Sequence, residues 1–317
     1  MILVNLVLFL ISLFILLKCA NYSIKYSSQI ARAFHLPEFL VSFFIIAIIS
    51  VLPEATVSII SAIKGNPQLG LGTLIGSNVT DLTLVFGVIA LISSGGIKVK
   101  SKILSNKFFY LVLFLFPLIL GIDGRFSRID GAVLVLVGIL FFARIYIVSH
   151  RFSKKFKHAE KKPFLRSLIL LILSFVILLT SAFFTVNFAV NFANDLMMPS
   201  ILIGITVLAI GTCLPELTFS IKAVRKNHNE LALGDILGTV ITDATIVLGI
   251  VALISPFSYS PVNVYLTGGA MFLAGLFAII FMKTDKILSK KEGLILIFFY
   301  IIFVLAEFFA SKIIGTI

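Results

Sequence analysis

The chain has 317 residues, of which 60% are hydrophobic and only 13% are charged, and its mean hydropathy is +1.16. Soluble globular domains carry about 25% charged residues, so the composition excludes that class and indicates an integral membrane protein. The net charge of +12 raises the question of a nucleic-acid partner, and the two cysteines are too few for a disulfide framework.

Apolar runs of about 20 residues, each long enough to cross a bilayer, recur along the chain and predict an all-α protein with ten membrane-spanning helices. In chain order the predicted spans lie near residues 2–18, 39–63, 69–93, 107–121, 130–149, 166–194, 199–223, 230–254, 263–282 and 293–315. The first run has no basic residue before it and no small-residue cleavage site after it, so we interpret it as a retained helix and not as a signal peptide.

The Lys and Arg residues are distributed unevenly among the predicted loops. Of 26 such residues, only Lys64, Arg125, Arg128 and Lys312 fall outside the loops that follow odd-numbered spans. By the positive-inside rule, the loops after odd-numbered spans are cytoplasmic, so we expect a multi-pass protein of the cell membrane with both termini outside. The basic residues then determine topology and contact lipid head groups, which argues against a nucleic-acid partner.

A segment of the first half of the chain is repeated in the second half. Residues 41–93 align without a gap with residues 203–255, and 22 of the 53 positions are identical. The copies begin at spans two and seven, which are five spans apart, and an odd offset gives the copies opposite orientations in the membrane. This plan, the inverted repeat, is common in transporters.

The repeat sets the predicted domain organisation. We expect an N-terminal five-helix repeat over residues 1–150 and a C-terminal five-helix repeat over residues 166–317. A basic cytoplasmic linker, residues 151–165, joins them.

Four acidic residues inside predicted spans form two repeat-related pairs, Glu54 with Glu216 and Asp81 with Asp243. A lone ionised Asp at the centre of a membrane helix costs about 2.5–3.5 kcal/mol on insertion scales, so such residues are usually functional. Repeat symmetry predicts that the four converge near the membrane midplane. Since four like charges cannot all stay ionised without cations or protons between them, the pattern predicts a cation site.

Other oxygen donors accompany these acids. Pro53 and Pro215 lack the backbone N–H, which frees the carbonyl oxygens of Ile49 and Gly211. A hydroxyl stands four residues before each acid, on the same helix face, at Ser50, Thr212, Ser77 and Thr239. Hard oxygen donors of this kind suit Ca²⁺ or Na⁺.

Two further acids in predicted spans have no acidic counterpart in the other repeat. Asp235, whose counterpart is Thr73, is expected near the cytoplasmic interface in the first turns of its helix. Glu307, whose counterpart is Ile145, is expected to make an interhelical hydrogen bond.

The paired motifs resemble the two alpha repeats of the sodium/calcium exchanger family, part of the cation/Ca²⁺ antiporter superfamily. The first copy contains Ser50-Val51-Leu52-Pro53-Glu54 and Gly76-Ser77-Asn78-Val79-Thr80-Asp81. The second contains Gly211-Thr212-Cys213-Leu214-Pro215-Glu216 and Gly238-Thr239-Val240-Ile241-Thr242-Asp243.

The resemblance implies a prokaryotic-type exchanger in which Glu54 and Glu216 ligate Ca²⁺ and share in Na⁺ binding. Spans one and six would slide against the rest to alternate access. The implied sites would be completed by Ser77, Thr239, Ser50, Thr212 and the carbonyl oxygens of Ala47 and Ala209.

The chain departs from the family pattern at several of these positions. Val51 and Cys213 stand where the family usually has a hydroxyl, Asp81 stands where many members have Asn, and Thr239 replaces Ser. Fewer Na⁺ donors and an additional titratable acid leave the counter-ion open.

We therefore expect a secondary antiporter that exchanges Ca²⁺ for monovalent cations, with Na⁺ as the expected counter-ion. The alternative is a Ca²⁺/H⁺ exchanger with Asp81 and Asp243 as proton carriers. An intramembrane aspartyl protease using the same two aspartates, and an ion channel, are rivals from other classes. We expect a monomer that is not an enzyme and has no cofactor.

Overall fold

The computed structural model describes residues 2–33, 47–93, 95–98, 107–150, 164–196, 200–259, 261–283 and 287–314. The helices are α1 (Ile2–Ala33), α2 (Ala47–Ser50), α3 (Leu52–Ile63), α4 (Pro67–Thr80), α5 (Phe86–Ile92), α6 (Lys107–Leu120), α7 (Arg128–His150), α8 (Phe164–Asp195), α9 (Ser200–Ile203), α10 (Ala209–Thr212), α11 (Leu214–Arg225), α12 (Asn229–Thr242), α13 (Leu248–Ile254), α14 (Pro261–Lys283) and α15 (Lys290–Ile314). Three π-helical turns interrupt the described helices, π1 (Asp81–Val85), π2 (Gly204–Leu208) and π3 (Asp243–Val247). The strands β1 (Ile97–Lys98), β2 (Arg125–Phe126), β3 (Phe257–Ser258) and β4 (Ile287–Leu288) are very short.

Six helical segments within the described residues are long and apolar enough to cross a membrane. They are Ile2–Cys19, Pro67–Ile92, Leu165–Phe192, Ile201–Arg225, Ala232–Ile254 and Lys290–Ala310. Three shorter apolar helices, Leu52–Ile63, Tyr110–Leu120 and Tyr265–Phe281, fall on further predicted spans. The described chain is thus that of a helical membrane protein.

The predicted spans coincide with helix over most of their described residues, with one clear difference. The first helix was predicted to end near residue 18, but α1 continues to Ala33. Residues 19–33 contain neither Gly nor Pro, so nothing in them breaks a helix once the apolar run has ended. Residues 39–46 of the second predicted span and residues 151–163 of the predicted linker lie outside the described residues.

Both copies of the repeated motif are interrupted at the same places. The helix breaks at Val51 between α2 and α3, and at the equivalent Cys213 between α10 and α11, just before the two prolines. The α3 and α11 helices end next to Gly65 and Asn227, which occupy equivalent positions of the two copies and both have a positive φ. Gly and Asn are the residues that adopt this left-handed conformation most readily.

Close helix packing joins the two halves at several glycines, three of which lie on α4 and π2. A Cβ atom on Gly76 would lie 2.7 Å from the backbone of Ile205, and one on Gly204 would lie 2.5 Å from the carbonyl oxygen of Leu69. Gly72 lies similarly close to the carbonyl oxygen of Ile201. Small residues at such crossings allow two helix backbones to approach each other, as in many membrane proteins. The α4 helix is therefore held directly against the segment from α9 to π2.

The four short strands also join the two halves. Strand β1 pairs with β4 and strand β2 pairs with β3, both antiparallel. When the repeat alignment is extended beyond the motif, β2 corresponds to β4, and β1 falls close to the position that corresponds to β3. The two pairings are thus related by exchange of the repeats.

The α1 helix packs along α8, apart from the main core. Phe9 and Leu16 of α1 and Ala182 and Val186 of α8 are fully buried in this separate cluster. The main hydrophobic core surrounds the helices of the repeated motif, which lie at the centre of the molecule.

Candidate cation site

Among the described residues, six acidic side chains are fully buried, and five of them belong to one cluster in the repeated motifs. All four predicted acids have 0% exposure, and so does Asp235. The sixth, Glu307, lies apart and accepts a hydrogen bond from Thr267 Oγ1 of the neighbouring helix. This interhelical bond confirms the role predicted for Glu307.

The structure brings the acids of the two repeats close to each other. Glu54 interacts electrostatically with Asp243 and Asp81. Glu216 interacts in the same way with Glu54 and Asp81. The cluster therefore contains carboxylates from both halves, as repeat symmetry predicted.

Two hydrogen bonds connect the predicted hydroxyl donors to acids of the opposite half. Ser77 Oγ lies 3.2 Å from Asp243 Oδ2 and 2.9 Å from the carbonyl oxygen of Leu74, so its single proton has two acceptors. Ser50 Oγ donates to Asp235 Oδ1 at 2.8 Å. Both contacts cross the boundary between the repeats.

Asp235, which was predicted near the cytoplasmic interface, has no exposed surface and lies within electrostatic reach of Glu54. The side chain is fully buried because α12 packs against α2, which presents Ser50 to it. The position of Asp235 along α12 does not by itself predict this burial, because the burial depends on the packing of a segment that is distant in the sequence.

Most carboxylate oxygens of the cluster have no hydrogen-bond partner among the described residues. Both oxygens of Glu54, Asp81 and Glu216 are buried and unpartnered, as are Asp235 Oδ2 and Asp243 Oδ1. No described Lys or Arg forms an ion pair with any of these acids. Because a buried charge is stable only when it is paired, these oxygens require cations or protons.

The helix breaks place the two glutamates favourably for negative charge. Glu54 lies in the first turn of α3 and Glu216 in the first turn of α11. A helix N-terminus carries partial positive charge and unpaired N–H groups, which favour a carboxylate. Each break also leaves an irregular backbone segment in the centre of the molecule, which is tolerated in membranes where it lines a cavity or is covered by protein.

The π-helical turns π1 and π3 begin at Asp81 and Asp243, at equivalent positions of the two repeats. A π-helical turn contains one additional residue, and such turns are frequent at functional sites. The turns were not predicted.

The remaining predicted donors are present with different surroundings. Thr239 Oγ1 is buried without a partner among the described residues, whereas Thr212 Oγ1 makes only a weak contact of 3.4 Å to the carbonyl oxygen of Ala209. The carbonyl oxygens of Ala47 and Ala209 accept helical hydrogen bonds from the backbone N–H groups of Val51 and Cys213, at 3.1 and 3.2 Å. Each carbonyl oxygen keeps a second lone pair for another partner.

Two buried polar residues of the repeated motifs were not predicted as site residues. Asn78 Oδ1 and Ser220 Oγ are buried and have no partner in the described part of the chain. The Cys213 thiol lies beside Asp81, and its hydrogen bond goes to the carbonyl oxygen of Ser77 at 3.6 Å. Asn78 stands in the motif that contains Ser77 and Asp81, and this neighbourhood is the signal that could have identified it.

The acids do not form a compact metal cluster by themselves. Among the described residues, no three His, Cys, Asp or Glu side chains are arranged to hold one metal ion. A bound ion would therefore need hydroxyl and carbonyl oxygens in addition to one or two carboxylates, a mixture that suits Ca²⁺ and Na⁺.

The fold and the buried acids define a class, namely helical membrane proteins with an internal acidic site. The family model described as "Sodium/calcium exchanger protein" matches residues 4–147 and again residues 166–309. The chain belongs to the sodium/calcium exchanger family. This membership supports exchange of cations, including Ca²⁺, as the activity.

Individual relatives cover nearly the whole chain. The sodium/calcium exchanger MaX1 of Methanosarcina acetivorans is 26% identical over 98% of this chain and 100% of its own length. The uncharacterized membrane protein MJ0091 of Methanocaldococcus jannaschii is 31% identical over 93% of this chain and 95% of its own. A solved structure of the sodium-calcium exchanger NCX_Mj, soaked with 2.5 mM Na⁺ and 0.1 mM Sr²⁺, has a TM-score of 0.69. It is 29% identical and covers 95% of this chain and 98% of that one.

Proposed function

We propose that this chain is a secondary antiporter that exchanges Ca²⁺ for monovalent cations by alternating access at the buried carboxylate cluster. Na⁺ is the counter-ion that we propose. Glu54 and Glu216 would be the principal Ca²⁺ ligands. Further oxygens would come from Asp81, Asp243, Ser50, Thr212, Ser77, Thr239 and the carbonyls of Ala47 and Ala209.

The observation that carries this proposal is the set of buried carboxylate oxygens, contributed by both halves of the chain, that have no hydrogen-bond partner among the described residues. In a protein interior an unpaired carboxylate is strongly destabilised, so the cluster has a physical need for positive charge. The cations that satisfy this need are the transported substrates.

Competition for the same carboxylates would couple the two fluxes. Ca²⁺ brings two positive charges to the cluster, and monovalent ions bring one each. When none is bound, the repelling acids disfavour closing the site, because closure would remove them from water. The empty protein would therefore not change its access, and each ion could cross only in exchange for the other.

We propose the arrangement of ten spans in two inverted five-helix repeats, with both termini outside and residues 151–165 as the cytoplasmic linker. The strand pairings support this topology. Strands β1 and β4 follow predicted spans three and nine, and strands β2 and β3 follow spans four and eight. Each pair joins loops that the positive-inside rule assigns to the same side of the membrane. We propose that the protein acts in the cell membrane as a monomer.

A Ca²⁺/H⁺ exchanger is the second candidate, favoured by particular residues. Cys213 contributes a thiol where a hydroxyl would serve Na⁺ better, and Val51 contributes no donor. Both oxygens of Asp81 are unpartnered among the described residues, so this acid could carry a proton, as could Asp243.

Ca²⁺ uptake by proteoliposomes separates the two candidates. We expect an outward Na⁺ gradient at fixed pH to drive uptake, and a pH gradient at fixed Na⁺ to drive much less. Uptake that responds to pH and not to Na⁺ would establish the proton exchanger, and uptake that responds to neither gradient would refute exchange.

Glu216→Gln should abolish gradient-driven uptake because it removes a charge that Ca²⁺ needs. Glu307→Gln is the matched control, since Glu307 is also buried but lies outside the cluster, and it should retain uptake.

A further inference from the structure

Asp235 is a buried carboxylate that the duplication does not explain. Its counterpart in the first repeat is Thr73, whose hydroxyl donates to the carbonyl oxygen of Leu69 in its own helix at 2.8 Å. The Thr73 side chain is thus fully accounted for by a local contact. The carboxylate of Asp235 has no such local partner among the described residues, and an acid occupies this position in only one half of the molecule.

The contacts of Asp235 lead to the other repeat. Oδ1 accepts the hydrogen bond from Ser50 Oγ at 2.8 Å, and Oδ2 is buried with no partner in the described part of the chain. Ser50 uses its only proton in this bond, but the lone pairs of its oxygen remain free. This oxygen can therefore act as a second cation ligand next to the Asp235 carboxylate. A hydroxyl oxygen and a carboxylate oxygen from opposite halves of the chain therefore lie side by side in the interior.

The electrical surroundings of Asp235 are negative. It interacts electrostatically with Glu54, Glu216 and Asp81. It has no ion-pair partner among the described residues. One hydrogen bond from a hydroxyl does not offset the burial of a full charge next to other acids, so the Asp235 carboxylate needs a bound cation or a proton to neutralise it.

We propose that Asp235 and Ser50 form a subsite for one monovalent metal cation, beside the Glu54–Glu216 pair and separate from it. The proposal rests on the proposed function, because the subsite belongs to the same acidic cluster. It adds one monovalent ion to those that compete with Ca²⁺, at a place whose repeat-related counterpart, Thr212 with Thr73, contains no acid.

The single charge of the subsite and its separation from the other acids favour a monovalent ion. The subsite has one carboxylate, which one positive charge neutralises. No three acidic, His or Cys side chains of the described residues are arranged around one metal ion, so Asp235 does not join the two glutamates as a third ligand of a shared ion. Ca²⁺ takes about six to eight oxygens and usually several carboxylates, which this subsite does not offer.

The test measures how Na⁺ stabilises the purified full-length protein in a divalent-free buffer, with choline replacing Na⁺ to keep the ionic strength constant. The dependence of the unfolding midpoint on the logarithm of the Na⁺ concentration reports the number of ions bound to the folded state. Asp235→Asn should lower that number by about one ion per protein. Asp235→Thr introduces the residue found at the equivalent position of the other half, and it should lower the number of bound ions by the same amount. This variant replaces Asp235→Asn in the test if Asp235→Asn does not fold. Glu307→Gln should leave the number unchanged.

Calorimetric titration of Ca²⁺ without Na⁺ provides the second readout. Both Asp235 variants should still bind Ca²⁺ and should lose much less affinity than Glu54→Gln, because the two glutamate ligands are intact. In the presence of Na⁺, the variants should need more Na⁺ than the native protein to displace Ca²⁺.

Several results would overturn the subsite. One is an unchanged number of Na⁺ ions in both Asp235 variants, and another is an equal loss in Glu307→Gln. The subsite would also be overturned if none of Na⁺, Li⁺ and K⁺ stabilised the native protein. A large loss of Ca²⁺ affinity with unchanged Na⁺ dependence would make Asp235 a Ca²⁺ ligand instead. If the native protein binds no Ca²⁺ while its Na⁺ dependence still requires Asp235, the proposed function fails and the subsite stands.

Discussion

Replacing Glu54 by Gln should separate the stability of the protein from its response to Ca²⁺. Both Glu54 oxygens are fully buried, next to Asp243 and Asp81, and unpartnered among the described residues. Gln keeps the size and removes the charge, so the ion-free variant should be at least as stable as the native protein. The same change removes a ligand charge from the proposed Ca²⁺ site.

The size of the effect follows from ligand linkage. Ca²⁺ at 100 times its dissociation constant stabilises the folded state by about 2.7 kcal/mol. With an unfolding entropy of about 2.1 cal/mol/K per residue, a chain of 317 residues should gain about 4 °C in its unfolding midpoint. A unit charge about 4 Å from another contributes about 4 kcal/mol at an effective dielectric constant of 20. A loss of about 100-fold in affinity is therefore a conservative expectation for Glu54→Gln. At the same Ca²⁺ concentration the stabilisation then falls to about 0.4 kcal/mol, which is less than about 1 °C.

Thermal unfolding of the detergent-solubilised protein, with and without Ca²⁺, measures both quantities. Glu307→Gln is the control because Glu307 is equally buried but pairs with Thr267 away from the cluster, and it should keep the full Ca²⁺ shift. A Glu54→Gln variant with the native Ca²⁺ shift would refute the assignment of Glu54 as a ligand. A variant that is several degrees less stable without ions would refute the claim that its charge destabilises the empty site.

Two further predictions concern packing and the counter-ion. Gly76→Ala should destabilise the protein by about 1–3 kcal/mol, because its Cβ would lie 2.7 Å from the backbone of Ile205. Gly269→Ala, with nothing within 4 Å of the added carbon, should change the unfolding midpoint little, and equal effects of the two would contradict the packing argument. Cys213→Ser places a hard oxygen beside Asp81 and should lower the Na⁺ concentration that half-displaces Ca²⁺. An unchanged displacement curve would show that the thiol position does not contact Na⁺.

The helices and the central acids could be predicted from the sequence because each rests on a strong, independent signal. Apolar runs of about 20 residues mark membrane spans whatever their tertiary partners are. The gapless alignment of the two copies predicted that Glu54 and Glu216 occupy equivalent positions, and ion sites of such transporters lie at the interface between the repeats. The end of α1 at Ala33 was missed because hydropathy marks where a membrane segment ends and not where a helix ends.

The finer features of the site depend on backbone and packing details that leave little trace in the sequence. A π-helical turn shifts hydrogen bonds by one position and needs no particular composition, so π1 and π3 had no signal. The strands are too short for an alternating pattern. The burial of Asp235 depends on its contact with Ser50, which belongs to the other half of the chain.

The differences between the repeats carry more information about ion binding than their identities do. An ion on the common axis can use equivalent ligands from both halves, as Glu54 and Glu216 would provide. A residue that exists in one half only makes the site asymmetric, and Asp235 is charged where Thr73 is neutral. In the inverted arrangement that we propose, the N-terminal ends of α4 and α12 would face opposite sides of the membrane. One approach to the site would therefore pass a buried carboxylate and the other a hydroxyl bonded within its own helix. Cations entering from the two sides would meet different charges, which a perfectly symmetric duplication could not provide.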